Sequence, residues 1–174
     1  MQWSVDEIAM LRETTRRFVR ERLQPLEAKI DADDALPVVL DAAIRQEAKA
    51  LGIYGFNFPL SLGGPDLPTE AKAVIYEEIT QTSMPLVEAL GHLPLTLAYC
   101  STTQRESILA PVVAGTKLIT YALTEAAAGS DLSAIQTRAT RVEGGWRLTG
   151  SKQFISNAET ADFIVVLACT DPTA

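Results

Sequence analysis

The hydrophobic pattern of this chain changes its period near Gly115, and that change limits the folds the chain can adopt. Before it, apolar residues recur at the three- and four-residue spacing of amphipathic helices; after it, they form short blocks typical of strands. Helices followed by strands is the order of an α+β protein, not of alternating βαβ units. We therefore predict an all-α part followed by antiparallel strands, with the boundary at residues 115–118.

The first part predicts a series of helices. Ser4 and Glu7 form a capping-box pattern at the start of a helix over residues 4–24, and Pro25 breaks or resets that helix. Further helical stretches are expected at residues 26–31, 37–51, 69–82, 85–100, 103–109 and 111–114. The stretch 85–100 is apolar almost all round, which indicates a helix with neighbours on every side. The carboxylates of the 69–82 helix are expected to face solvent: Glu70, Glu77 and Glu78.

The second part predicts four strands, at residues 118–123, 136–142, 146–155 and 163–168. Glu143-Gly-Gly145 is typical of a hairpin turn between the second and third strands.

Charge and composition exclude several classes of protein. The net charge is −7 with no basic run, which argues against a nucleic-acid partner. The N-terminus lacks the pattern of a secretory signal, and the most apolar window, residues 85–100, is short for a membrane span. We expect a cytoplasmic protein without a membrane span.

Cysteine and histidine are scarce. Cys100 and Cys169 are far apart in the sequence and are expected to be buried thiols rather than a disulfide. His92 is the only histidine and has no cysteine, histidine or carboxylate cluster at ligand spacing, so we expect no metal site. A packed or cap-bonded histidine is the commoner interpretation, ahead of a catalytic one.

Two segments of the second part could bind a ligand. The loop from Thr124 to Asp131 offers hydroxyls and small residues, which permit close approach to the backbone, and residues 154–157 end a strand with polar groups. From the residues alone, an ordinary turn and a capped strand end are the commoner interpretations. Asp131 could cap a turn or orient Ser130. Glu125, beside the loop, could serve a ligand or simply bond to backbone or to a lysine. No Rossmann or P-loop glycine pattern is present.

The ordered set of motifs resembles the acyl-CoA dehydrogenase family. The motifs are Tyr121-Ala-Leu-Thr-Glu-x-x-x-Gly-Ser-Asp131 and Gly145-Trp-Arg-Leu-Thr-Gly150-x-Lys152-x-Phe-Ile-Ser-Asn157, with Glu77-Glu78-Ile79 upstream. The resemblance covers roughly residues 5–171. Ala126 stands where the family usually has proline, and Ser156 where it usually has threonine.

The resemblance implies a fold, a cofactor and its contacts. Residues 1–117 would be the family's N-terminal helical domain, and residues 118–174 the start of its middle β-barrel domain, left incomplete. FAD would lie between the middle domain and a C-terminal helical bundle. Thr124 would meet the pyrimidine side of the flavin, Ser156 its N5 edge, and Ser130 both the pyrophosphate and the acyl-CoA. The full set of implied cofactor contacts is Tyr121, Leu123, Thr124, Gly129, Ser130, Phe154, Ile155 and Ser156.

The resemblance also implies the reaction, that of a flavoprotein oxidoreductase of fatty acid and lipid metabolism. It dehydrogenates an acyl-CoA at the α and β carbons with hydride transfer to flavin N5, and an electron-transferring flavoprotein takes the electrons. The catalytic base would lie in the C-terminal bundle, so no residue here is assigned that role. We expect a truncated chain, inactive alone, that binds flavin weakly and forms homo-oligomers.

Two alternatives remain open at this point. One is a relative on the same scaffold with another acceptor, an acyl-CoA oxidase or a flavin monooxygenase-like protein. The other is a non-catalytic module that binds a partner through its exposed helices. The acyl chain length is not readable from these residues.

Overall fold

A computed structural model describes residues 3–30 and 36–171 of the chain. The chain divides into two compact units, Met1–Lys117 and Leu118–Ala174. Where described, the first unit contains helical segments only, and the second contains four short strands and one 3₁₀ turn. The change of period near Gly115 therefore coincides with a change of secondary structure.

Helix α1 (Val5–Phe18) begins at the predicted capping box. The Ser4 hydroxyl accepts a hydrogen bond from the backbone N–H of Glu7, whose carboxylate accepts one from the N–H of Ser4. The chain continues as a π-helix (Val19–Leu23) and a 3₁₀ helix (Gln24–Lys29). Pro25 therefore resets the helix, as the sequence predicts. Asp31, the last residue of the expected continuation, lies outside the described residues.

The other helical segments fall mostly where they are predicted. They are α2 (Val38–Ala50), a 3₁₀ turn (Leu60–Leu62), α3 (Thr69–Ile79), α4 (Met84–Glu88), a 3₁₀ helix (Leu95–Tyr99), α5 (Thr102–Gln104), a π-helix (Arg105–Leu109) and α6 (Ala110–Val113).

Helices α1 and α3 pack together, and this corrects the expected position of Glu78. The side chain of Glu78 is only 8% exposed, whereas that of Glu77 is 62% exposed. Glu78 accepts hydrogen bonds from the guanidinium groups of Arg12 and Arg16, at 2.8–3.0 Å. A buried carboxylate needs such partners, and the spacing within α3 does not reveal that α1 supplies them.

The expected continuous helix over residues 85–100 is wrong. Helix α4 ends at Glu88, Gly91 adopts a φ of +72°, and a separate 3₁₀ helix follows Pro94. A Cβ on Gly91 would lie 2.6 Å from the Tyr54 ring, so only glycine fits there. Consequently His92 does not lie in a helix; it is exposed, and its Nδ1 forms a hydrogen bond with the Tyr76 hydroxyl.

The strands of the second unit form two pairs. Strands β2 (Arg138–Val142) and β3 (Gly145–Thr149) are an antiparallel hairpin, as predicted. Strands β1 (Ile119–Ala122) and β4 (Phe163–Val166) pair in parallel, so the expectation of antiparallel strands throughout is wrong. Periodicity identifies strands but not their partners, and the stretch between these two is long enough for a parallel crossover.

Three further expectations differ from the structure. The predicted strand 146–155 ends at Thr149, so residues 150–155 are not a strand. Cys100 and Cys169 are free, as expected, but half-buried rather than buried. Within residues 3–30 and 36–171, no helix is long and apolar enough to cross a membrane.

Candidate functional site

The two segments singled out in the sequence lie side by side in the second unit. The backbone N–H of Gln153 donates to the carbonyl of Thr124 at 3.0 Å. The Thr120 hydroxyl, on β1, donates to the carbonyl of Ser156 at 2.7 Å. The loop that follows β1 and the segment 153–156 therefore form one continuous surface.

The loop after β1 makes a tight turn with exposed small residues. Glu125 and Ala128 exchange two backbone hydrogen bonds, at 2.8 and 3.2 Å, which leaves Ala126 and Ala127 exposed between them. Gly129 follows, and a Cβ built there meets nothing within 4 Å. Its φ also lies outside the left-handed region, so neither packing nor backbone geometry within the unit demands glycine. The loop is open to close approach by a ligand.

Asp131 ends the loop as a capping residue. Its Oδ1 accepts hydrogen bonds from the backbone N–H and the hydroxyl of Ser133, at 3.0 and 2.5 Å, at the start of a 3₁₀ turn (Leu132–Ala134). These bonds from Ser133 lower the pKa of Asp131. Asp131 therefore caps a turn, which is one of the two roles that the sequence left open for it.

A buried ion pair joins the loop to the second segment. The ammonium of Lys152 lies 2.8 Å from Glu125 Oε1 and also donates to the carbonyl of Leu123 at 2.9 Å. The Glu125 carboxylate also accepts hydrogen bonds from the backbone N–H groups of Gln136 and Thr137, at 2.7 and 3.0 Å. The side chains of Lys152 and Glu125 are 10% and 6% exposed.

This arrangement fixes Glu125 as an anion. The hydrogen bond from Lys152, supported by those from residues 136 and 137, lowers the pKa of Glu125 to about 2. A general base works best with a pKa near the operating pH, so Glu125 is unsuited to take up a proton. Glu125 therefore bonds to the backbone and to a lysine, which is one of the interpretations that the sequence left open for it.

Phe154 is held in an unusual position. Its φ is +56° and its side chain is 88% exposed, and Asn157 follows with a φ of +58°. The left-handed conformation costs a bulky residue about 1–2 kcal/mol, and it persists only where the surroundings dictate it. An exposed aromatic ring on such a backbone gains nothing for the core of this unit, which makes a ligand contact the natural hypothesis.

The eight residues expected to contact a cofactor are all accessible. Four of them are half-buried: Tyr121, Leu123, Thr124 and Ile155. The other four are exposed: Gly129, Ser130, Phe154 and Ser156. The sequence assigned no role to Lys152, Thr120 or Thr137, which hold the two segments. A signal for Lys152 is that it is the only charged residue between Gly150 and Asn157. The described residues contain no group of three or more His, Cys, Asp or Glu able to hold a metal ion.

Fold and site together define an α+β protein with an accessible backbone loop beside an exposed aromatic residue. Two family profiles match this chain: "Acyl-CoA dehydrogenase, N-terminal domain" over residues 5–116 and "Acyl-CoA dehydrogenase, middle domain" over residues 120–174. The chain therefore belongs to the acyl-CoA dehydrogenase family.

Individual proteins agree with the family profiles. Benzylmalonyl-CoA dehydrogenase of Aromatoleum aromaticum is 33% identical over 94% of this chain, and the human mitochondrial short-chain specific acyl-CoA dehydrogenase is 34% identical over 93%. The three-dimensional structure of butyryl-CoA dehydrogenase from Megasphaera elsdenii superposes with a TM-score of 0.76 at 27% identity and covers 99% of this chain. The chain spans 44%, 40% and 47% of these three proteins, respectively.

Proposed function

We propose that this chain is the flavin-binding N-terminal part of an FAD-dependent acyl-CoA dehydrogenase, which dehydrogenates an acyl-CoA thioester at its α and β carbons. The observation that carries the proposal is the bond between Gln153 and Thr124, which joins the two signature segments into one accessible surface. In this proposal residues 1–117 form the N-terminal domain and residues 118–174 the start of the middle domain.

The residues of this surface fit a flavin. Gly129 leaves room for a pyrophosphate beside the backbone, and Ser130 and Ser156 present exposed hydroxyls that can donate to phosphate or ring atoms. The exposed ring of Phe154 offers an apolar face to a heterocycle. Bound FAD would supply the hydride acceptor, and the protein would supply position and shape.

Each predicted contact has a proposed role. Tyr121, Leu123, Thr124, Gly129 and Ser130 would contact the flavin ring and its pyrophosphate. Among them, Thr124 would meet the pyrimidine side of the ring and Ser130 the pyrophosphate. Ser130 also contacts the acyl-CoA. Phe154, Ile155 and Ser156 would line the other edge of the flavin.

The catalytic base is proposed to come from a region outside these 174 residues. Glu125, the carboxylate nearest the loop, is committed to Lys152 and to two backbone N–H groups. The polypeptide of residues 1–174 should therefore not turn over an acyl-CoA when it is assayed alone. We also place the whole enzyme in the cytoplasm and in lipid metabolism, as a homo-oligomer that passes electrons to an electron-transferring flavoprotein.

An FAD titration followed by flavin fluorescence tests the proposal. The parent chain should bind FAD weakly, and Phe154→Ala should weaken binding further, because the substitution removes the ring that faces the flavin. Tyr99→Ala is the matched control, since Tyr99 is a 90% exposed aromatic residue of the helical unit. If the parent does not bind FAD, or if the two variants lose affinity equally, the proposed site is wrong.

A further inference from the structure

Lys152 contacts the loop at two places at once. Its ammonium is shared between the carbonyl of Leu123 and the carboxylate of Glu125, which flank Thr124. The next residue, Gln153, donates its N–H to the carbonyl of Thr124 itself. Three consecutive residues of the loop are thus bonded to two consecutive residues of the other segment.

The ion pair also reaches a third segment. The Glu125 carboxylate accepts hydrogen bonds from the backbone N–H groups of Gln136 and Thr137, which lead into β2. Transferring an ammonium and a carboxylate into a site this buried is costly, and burial is tolerable here because both groups have several close partners. Relative to a well-packed apolar replacement such a pair adds little stability, but removing one partner leaves the other charge buried and unpaired.

We propose that Lys152 is a positioning residue for the flavin. Its side chain sets the register between Thr124 on one side of the flavin site and Phe154–Ser156 on the other. This inference rests on the proposed function, since it assigns a task within that same surface. Lys152 itself does not touch the flavin; it acts through the two segments that do.

The strained backbone at Phe154 gives this task a physical reason. A left-handed Phe154 lies two residues beyond Lys152, and the bonds of Lys152 and Gln153 hold the chain just before it. Without the ammonium, the buried carboxylate of Glu125 would lose its countercharge. The segment 153–156 would also lose the side-chain bonds of Lys152 that anchor it. The chain around Phe154 would then be free to relax, and the ring would leave its exposed position.

The experiment compares the parent chain with Lys152→Met, which keeps an unbranched side chain of nearly the same length and removes the charge. Lys72→Met, in the helical unit, is the matched control. Three quantities are measured: the FAD dissociation constant, the fluorescence of bound flavin at saturating FAD, and amide hydrogen exchange at Gln153 without flavin. The second and third do not depend on enzymatic activity.

The expected result for Lys152→Met is faster exchange at Gln153, binding weaker by about 10-fold or more, and altered emission of the bound flavin. Losses of about 10- to 100-fold follow when residues that orient metal ligands are removed, and the same logic applies here. The altered emission at saturation separates misplacement of the flavin from a simple loss of folded protein. Lys72→Met should match the parent in all three measurements.

Other outcomes overturn the inference in distinguishable ways. If the parent does not bind FAD, the proposed function fails, and the inference with it. If the parent binds and Lys152→Met binds with the same affinity and emission, only the positioning role fails. Weaker binding without faster exchange at Gln153 would also reject positioning. Should Lys152→Met not fold, Glu125→Gln removes the same ion pair with little change of shape, and the same criteria apply to it.

Discussion

Gly150 lies against Thr137 so closely that no other residue fits there. A Cβ on Gly150 would be 2.5 Å from Thr137 Oγ1 and 2.7 Å from Thr137 Cα. Thr137 in turn donates its backbone N–H to Glu125. The glycine therefore allows the segment that carries Lys152 to approach Thr137, the residue just before strand β2.

Substitution of Gly150 by alanine should destabilise the second unit by about 1–3 kcal/mol, the usual cost of overpacking. The backbone of Thr137 cannot retreat without pulling on Glu125. Urea denaturation followed by Trp146 fluorescence, in a Trp3→Phe background, reports on this unit. An unchanged midpoint would show that the two segments are not packed as described.

Gly129→Ala should behave in the opposite way. Because a Cβ there meets nothing, the free energy of unfolding should change by less than about 1 kcal/mol, with a small gain from the stiffer unfolded chain. FAD affinity should nevertheless fall severalfold, since the methyl group occupies the space proposed for the pyrophosphate. Denaturation and FAD titration on the same preparations check both statements. Undiminished FAD binding would remove Gly129 from the site.

Local signals in the sequence account for much of the fold. The capping box of Ser4 and Glu7 and the hairpin of β2 and β3 are contacts between residues close in the chain, and both were predicted. The sequence does not predict the break between α4 and the following 3₁₀ helix, although Gly91 and Pro94 lie at that position. An apolar run of this length is typical of one helix. The feature that interrupts it, the Tyr54 ring that excludes a side chain at Gly91, is visible only in the structure.

Contacts between distant residues could not be predicted from the sequence. The parallel pairing of β1 with β4 and the burial of Glu78 both depend on partners that periodicity does not identify. The candidate site divides in the same way. Its loop is visible as a block of small residues, but the bond of Lys152 to Glu125 joins residues 27 positions apart. The sequence predicts a strand at Phe154, since nothing in its neighbours signals a positive φ.

The ion pairs between α1 and α3 should be measurable in the helical unit. Glu78→Gln removes the charge that binds both Arg12 and Arg16, and should cost about 1–2 kcal/mol. The value lies below that of a fully buried pair because both arginines are partly exposed. Glu77→Gln is the control: Glu77 is largely exposed, so its loss should cost less than about 1 kcal/mol. Equal effects of the two substitutions in thermal or urea unfolding would contradict this account.

The Glu125 carboxylate should make the second unit sensitive to acid in a defined window. Its pKa is lowered from an ordinary value of 4.5 to about 2, chiefly by Lys152. Above pH 4.5 the group is ionised in both folded and unfolded chains, so its contribution to stability is fully present. Between pH 4.5 and about 2 the unfolded chain takes up the proton first, and the contribution is lost.

Comparison with Glu125→Gln isolates this one group, because other carboxylates with lowered pKa, such as Glu78 and Asp131, titrate equally in both proteins. We expect the parent to be more stable than Glu125→Gln by a constant margin from pH 8 to pH 5, and that margin to shrink steadily as the pH falls from 4.5 towards 2. Urea midpoints from Trp146 fluorescence at each pH give the difference. A margin that grows on acidification, or one that does not vary, would mean that Glu125 is not the buried anion paired with Lys152.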